Sequence, residues 1–365
     1  MRSGAERGAI SRKAAFLALF AAAMATGMHG GRAQSQHIET LDPRALPLGD
    51  GKVSSGPRRG YLYSCATQFR GGGAQHAGDW IHGATWDSTG KIQVRGEVTW
   101  PNATFTITSG NGERRVVGNG LPLNNTTGIF PVQKSDPAFL IDRNPNRIEP
   151  QRVALSLPIS PVPASTPACV PMGPIGVALN GVAIFNALDA GGRDAVAHEV
   201  QDRCNGHPER SGTYHYHGPS PCVPGATGRN SLVGYAFDGF GIYSMFDENG
   251  RELTNADLDE CHGRVSRVEW NGREASMYHY VLTREYPYTV GCYRGTPARI
   301  EARGEGEPPR DNGPGGPRQP PGEAIAACAG LSPDAACRFI SPHGDAIAGT
   351  CRSPAGRLAC VPAGR

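Results

Sequence analysis

The sequence predicts a mainly β protein. Patterns typical of long helices are nearly absent, and glycine and proline are frequent, at 50 and 31 of 365 residues. Segments rich in β-branched residues recur between Gly, Pro and Asn turns, which is typical of strands. Four segments are predicted strands: KIQVRGEVTW (91–100), ATFTITSG (103–110), RRVVGNG (114–120) and RVALSLPI (152–159). We therefore expect a β-rich domain over residues 60–301, preceded by a flexible segment over residues 34–59.

The first residues have the pattern of an export signal. A basic start precedes the apolar run AAFLALFAAAMATGM (14–28), and the small residues Gly31 and Ala33 follow it. This order predicts a signal peptide over residues 1–33, and the apolar run is too short to span a bilayer. We expect a periplasmic or secreted protein that has no transmembrane helix after cleavage.

The charge of the chain argues against one class of partner. Residues 1–33 carry a net charge of +4 and the whole chain +3, so the remainder carries about −1. Nucleic acids and anionic membrane surfaces are bound by basic stripes, which this composition does not offer. The sequence also contains no glycine-rich phosphate loop, so no nucleotide cofactor is expected.

The ten cysteines all lie beyond the predicted leader. An even count without any Cys-x-x-Cys pair indicates disulfides formed in an oxidising compartment. The last four lie in residues 324–365, a unit too small to build its own core, which we expect two bridges to hold together. A Pro/Gly-rich stretch with almost no apolar residue, 302–323, predicts a linker before this small module.

An internal repeat divides the β-rich domain. The segment GVALNGVAIFNALD begins at Gly176, and the similar segment GYAFDGFGIYSMFD begins at Gly234, 58 residues later. In each copy a cysteine turn and a Tyr-His-Tyr strand follow. We therefore predict two pseudo-symmetric half-repeats, 172–222 and 230–292. Each should open with a hairpin whose Asn-Gly or Asp-Gly turn is of type I′.

A pair of cysteines encloses the Tyr-His-Tyr strand in each half-repeat. Fifteen pairings of the six cysteines in the β-rich domain are formally open. The simplest connectivity has three bridges: Cys204–Cys222, Cys261–Cys292 and Cys65–Cys169.

The segment TYHYHG carries the candidate metal ligands. Side chains alternate along a strand, so His215 and His217 share one face and the flanking tyrosines share the other. Two imidazoles at this spacing can reach one copper or zinc ion, which requires their ring nitrogens to lie within about 5 Å of each other. The next candidates are His279, from the second half-repeat, and His207. The alternative is that these histidines only pack.

Three aspartates occupy comparable positions around these motifs: Asp202, Asp238 and Asp259. Such carboxylates either orient metal-binding imidazoles or cap turns, and we slightly favour capping. Val281 stands where the second Tyr-His-Tyr strand would need another histidine, so one site per chain is expected.

Several motifs in fixed order resemble the YHYH-domain proteins: GVALNGVAIF, DRCNGHPERSGTYHYHG, GYAFDGFGIY, LDECHGR and YHYVLTREYPYTVGCYRG. The similarity covers roughly residues 60–296. It implies an exported β-rich domain with a metal site, and no particular activity. Three functions stay open: a protein that stores or delivers copper or zinc, a metal-dependent envelope or extracellular enzyme, and a structural or adhesive envelope protein whose histidines pack.

Overall fold

The computed structural model describes residues 41–69, 71–298, 322–340, 346–353 and 358–362. The protein is mostly β, with 34% strand and 5% helix, which confirms the predicted fold class. No helix in these ranges is long and apolar enough to cross a membrane. The predicted signal peptide and linker residues 302–321 lie outside the described residues.

Six short strands form the first part of the fold: β1 (Leu46–Pro47), β2 (Val53–Ser54), β3 (Leu62–Tyr63), β4 (Ile81–His82), β5 (Thr85–Trp86) and β6 (Val98–Thr99). Strands β1, β5 and β4 make one small sheet, and β2 pairs with β3. Leu46 and Trp86 are buried in a shared apolar cluster. Leu46, within the segment 34–59, is therefore packed into the fold.

The predicted strand at 91–100 is shorter than expected. Only β6 is regular strand, because Val94 makes an isolated bridge to Asp202 and Gly96 takes a φ of 121°. That backbone conformation is one that glycine adopts readily and other residues rarely do.

The other three predicted strands form an antiparallel sheet. They belong to the next group: β7 (Phe105–Gly110), β8 (Glu113–Gly118), β9 (Thr126–Thr127) and β10 (Val153–Pro158), with a 3-10 helix at Pro137–Leu140. The sheet order is β10-β8-β7, and β9 pairs with β6. Val116 and Leu157 are fully buried in the same apolar cluster as Val177 and Tyr235, so this sheet packs on the central one.

The central sheet has eight strands. Its elements are β11 (Pro174–Ala178), β12 (Ala183–Phe185), β13 (Gly206–Pro208), β14 (Tyr214–Tyr216), β15 (Leu232–Ala236), β16 (Gly241–Tyr243), β17 (Gly263–Trp270) and β18 (Arg273–Val281), with helix α1 (Ala195–His198) and a 3-10 helix at Asn255–Asp257. The order across the sheet is β13-β14-β12-β11-β15-β16-β18-β17.

The strand order is symmetric about the centre of the sheet. Counted inward from either edge, corresponding strands of the two repeated segments follow in the same order. The first half contributes β11 to β14 and the second half contributes β15 to β18 in mirrored positions. At the centre, β11 and β15 pair antiparallel with Val177 opposite Tyr235, residues that are equivalent under the 58-residue offset. The superposition of the two half-repeats as backbone units stays a prediction.

The hairpin turns differ from the predicted type I′. The amide of Gly181 donates to the carbonyl of Ala178, whose own amide donates to the carbonyl of Val182. Gly181 has a φ of 85°, and Asn180 is not among the residues with positive φ. The loop therefore has three residues and ends on a left-handed glycine, a common hairpin type in which only the glycine needs positive φ. Gly239 closes the second hairpin in the same way.

The disulfides of the central domain are those that the sequence indicated. The pairs are Cys65–Cys169, Cys204–Cys222 and Cys261–Cys292. The expected connectivity is confirmed, and no described cysteine is free.

The C-terminal module is a small disulfide-bonded sheet. It contains α2 (Gly322–Ala326), β19 (Ala336–Ile340), β20 (Ala346–Arg352) and β21 (Ala359–Pro362), with the strands antiparallel in chain order. Its two bridges are Cys328–Cys351 and Cys337–Cys360. Four cysteines and two alanines make up the buried cluster, so the bridges replace the apolar core that so short a chain cannot build.

Candidate metal centre

Three buried histidines meet at one face of the central sheet. Each of His207, His215 and His217 offers a ring nitrogen, and these three atoms all lie within 4.8 Å of one another. The Nε2 atoms of His215 and His217 are 3.0 Å apart, which meets the expected limit of about 5 Å. All three side chains are at most 4% exposed.

Strand pairing brings the third histidine to the other two. Strand β13 runs antiparallel to β14, and His207 lies directly opposite His215. Residues opposite each other in such a pair have Cβ atoms about 4.5–5.5 Å apart, so their rings meet on the same face. The ring centroids of His207 and His215 are 4.6 Å apart. Phe185 stacks on His215 at 3.8 Å and covers its other side.

Hydrogen bonds fix the protonation of two rings. Nδ1 of His215 lies 3.0 Å from the carbonyl oxygen of Thr213, and Nδ1 of His217 contacts the carbonyl oxygen of Asn186. A carbonyl oxygen only accepts, so each bond requires the proton on Nδ1. Burial lowers the pKa of His215 to about 4 and that of His217 to about 3, so both rings are neutral at pH 7. Their Nε2 atoms therefore face each other as two lone pairs.

The imidazole of His207 has no hydrogen-bond partner in the described structure. Neither of its ring nitrogens is bonded within the described part of the chain, although both are buried. Burial, followed by the neighbouring His215 and His217, lowers the pKa of His207 well below its usual value. A buried polar atom without a partner costs free energy unless something outside the protein satisfies it.

Glu199 is the carboxylate beside the histidines. Its Oε2 lies 3.5 Å from Nε2 of His207 and 3.5 Å from Nε2 of His217. Burial raises its pKa well above the usual value, and the nearby Asp142 and Asp189 act in the same direction. The sequence offered no signal for Glu199, because its position depends on how the C-terminal end of α1 packs in the fold.

The histidines line a cleft. Its volume is about 770 Å³, and its walls include His207, His215, His217 and Glu199 together with Asp142. Binding sites for small molecules commonly have volumes of about 300–1,000 Å³. The cluster is therefore buried and also borders a space large enough for a ligand.

His279 is not part of this cluster. It lies on β18, five strand positions from β14 in the sheet, which corresponds to about 24 Å at roughly 4.8 Å per strand. Its Nδ1 is 3.2 Å from the carbonyl oxygen of Met277, and its ring packs against Tyr243. The histidine opposite His215 is His207 instead, because the half-repeats meet at β11 and β15 and hold the two Tyr-His-Tyr strands apart.

Each of the three aspartates accepts hydrogen bonds from backbone amides of a turn and from a tyrosine hydroxyl. Asp202 accepts from the amides of Cys204 and Gly206 and from the hydroxyl of Tyr214, 2.9 Å away. Asp259 does the same for the corresponding turn and for Tyr278. Asp238 accepts from the hydroxyl of Tyr280 at 2.5 Å. None of the three bonds to a histidine in the described structure, so they do not orient the imidazoles directly.

The fold and this cluster define a disulfide-bonded β domain with three converging histidines. A family model described as YHYH protein matches residues 154–254, so the chain contains a YHYH domain. The matched range includes the three histidines and Glu199. No curated protein and no solved structure matches the chain significantly.

Proposed function

We propose that this is an exported protein that binds one transition metal ion, copper or zinc, through His207, His215 and His217. The observation that carries the proposal is the pair of Nε2 lone pairs 3.0 Å apart. Two neutral acceptors at this distance repel each other unless a cation lies between them. In a tetrahedral site with metal–nitrogen distances of about 2.0–2.1 Å, neighbouring ligand atoms lie about 3.3 Å apart.

The ligand atoms that the site offers favour zinc or copper. Imidazole nitrogen suits zinc and copper, and the described cysteines are all oxidised and cannot act as thiolate ligands. The hydrogen bonds from Nδ1 to the carbonyls of Thr213 and Asn186 are the outer contacts that commonly orient metal-binding histidines. Glu199 is placed to supply an oxygen ligand or to contact a group bound in the cleft.

Export is supported by two features. The first residues have the pattern of a signal peptide. The five disulfides are typical of proteins that fold in an oxidising compartment such as the periplasm or the extracellular space.

A metal-dependent enzyme is the second candidate, and the cleft favours it. A metal held only for storage is commonly enclosed by its ligands, whereas a catalytic metal keeps a position open to substrate. Here the three histidines border a cleft of about 770 Å³. A purely structural role for these histidines is disfavoured, because packing does not require their nitrogens to converge.

Metal analysis of protein purified from the periplasm tests the proposal. We expect one copper or zinc ion per chain in the natural protein and none retained by His215→Ala, because the substitution removes one of three ligands. His279→Ala is the matched control, since His279 also stands between two tyrosines on a strand. Its metal content should equal that of the natural protein. Loss of metal in both variants, or in neither, would contradict the assignment.

A further inference from the structure

A second cavity lies beside the cleft that is lined by His207, His215 and His217, which we call the metal cleft. Its volume is about 410 Å³, within the range common for small-molecule sites. Val196 and Gln201 line this cavity, whereas Glu199, on the same short segment, lines the metal cleft. The two spaces are therefore separate and share one stretch of chain.

About half of the residues that line this cavity are apolar. Trp86 and Ile92 come from the N-terminal part of the fold, Pro219 and Ala226 from the loop after β14, and Met245 from the second half-repeat. Residues from three regions of the chain thus enclose a surface that favours an apolar ligand body.

The charged side chains at this cavity are all cationic. Lys91, Arg203 and Arg284 line it, and no aspartate or glutamate does so among the described residues. Arg284 already pairs with Glu252, whose oxygen lies 2.7 Å from its Nε. Among the described residues, the side chain of Arg203 bonds to a neutral group, the hydroxyl of Thr126, at 2.6 Å.

Lys91 is a half-buried amine that forms no ion pair with a carboxylate of the described residues. Its Nζ donates to the carbonyl of Val196 and to the side chain of Gln201, which are both neutral. No carboxylate of the described residues forms an ion pair with Lys91 or Arg203. Burial lowers the pKa of Lys91 to about 7, against the attraction of Asp194, Glu199 and Asp142. An anion in the cavity would stabilise this ammonium group.

We propose that this cavity binds a small organic carboxylate, whose head Lys91 and Arg203 hold and whose apolar body packs against Trp86, Ile92 and Met245. The charge of the lining selects an anion, and the apolar walls select a ligand that is more than a bare ion. The site is independent of the metal site, since no histidine of the cluster lines it.

Calorimetric titration of the full chain with octanoate tests this proposal, with octylammonium as a probe of equal length and opposite charge. We expect octanoate to bind and octylammonium to bind at least about tenfold more weakly, as expected when a charge-assisted hydrogen bond is lost. Arg203→Gln should weaken octanoate binding by a similar factor. Arg203 is exposed, so its substitution leaves the core intact.

Arg115→Gln is the matched control, because Arg115 is exposed on β8 and does not line the cavity. Its affinity for octanoate should equal that of the natural protein. Equal binding of octanoate and octylammonium would overturn the proposal, as would unchanged octanoate affinity in Arg203→Gln. Failure of octanoate to bind at all would overturn it as well.

Discussion

His207, His215 and His217 differ from two other buried histidines, His262 and His279, in what their ring nitrogens face. Nε2 of His262 is 2.9 Å from the hydroxyl of Thr283, and Nδ1 of His279 has a backbone carbonyl as its partner. The protein thus contains histidines that are buried and satisfied by their surroundings. By comparison with His262 and His279, the three converging rings have nitrogens that face no protein partner of this kind, which favours a bound ligand.

His262 allows a test of how a buried histidine affects stability with pH. It is 2% exposed, and burial lowers its pKa to about 3. The unfolded chain binds a proton at this residue below about pH 6.5, while the folded protein does not until about pH 3. The free energy of unfolding should therefore fall as the pH drops through this window, by at most about 1.4 kcal/mol per pH unit.

The variant His262→Asn isolates this effect from those of other groups. His262 has a φ of 70°, and Asn205, at the corresponding turn of the first half-repeat, has a φ of 58°, so asparagine suits the backbone. Urea unfolding of the metal-free proteins should show the natural protein losing stability relative to His262→Asn between pH 6.5 and 4. Parallel pH profiles would show that His262 titrates normally in the folded protein.

The turn that precedes each Tyr-His-Tyr strand is held by three kinds of contact. An aspartate caps the turn, a tyrosine of the strand donates its hydroxyl to that aspartate, and a disulfide ties the turn to the chain beyond the strand. In the first half-repeat the bridge Cys204–Cys222 encloses β14, so it constrains the strand that carries two of the histidines.

Removal of this bridge should destabilise the central domain. The double variant Cys204→Ala/Cys222→Ala opens a loop with a sequence separation of 18 residues. Loss of a loop constraint of this size costs about 3 kcal/mol in the chain-entropy model. Urea unfolding should show a lower midpoint, and the metal ion that we propose should dissociate more readily because β14 is less restrained. An unchanged midpoint would indicate that the contacts of the turn suffice alone.

Much of this element-level organisation is readable in the sequence because it is local. Alternation along one strand places His215 and His217 on a common face, and cysteine spacing around that strand indicates its bridge. The third histidine is not local, since it depends on which strand lies beside β14. The position of Glu199 is even harder to predict from the sequence. It follows a helix of only four residues, which is too short to show a periodic pattern that would indicate how it packs.

Across the whole molecule, the two half-repeats meet at the β11–β15 pair. Gly176 and Gly234 lie there at equivalent positions. A Cβ at Gly176 would come within 2.8 Å of the carbonyl oxygen of Tyr235, and one at Gly234 within 2.6 Å of that of Val177. Both contacts are with backbone, which cannot move aside without shifting the strand pair.

Alanine at either glycine should therefore destabilise the domain. We expect Gly176→Ala and Gly234→Ala each to lower the free energy of unfolding by about 1–3 kcal/mol, the usual range for overpacking. Gly110→Ala is the control, because no atom lies within 4 Å of a Cβ built there. Chemical denaturation that shows equal stability for all three variants would exclude a tight seam at this strand pair.

The pairing register of β11 and β15 at the centre of the sheet is symmetric. Gly176 lies opposite Ala236 and Ala178 lies opposite Gly234, so each pairing is the counterpart of the other. Two identical chains related by a twofold axis make this kind of contact. Duplication and fusion of the gene for such a homodimer would produce a sheet with this strand order. In a fused chain the two halves can differ in sequence. They differ where Val281 stands in the second half at the position that His217 has in the first. Identical subunits of a homodimer cannot differ in this way.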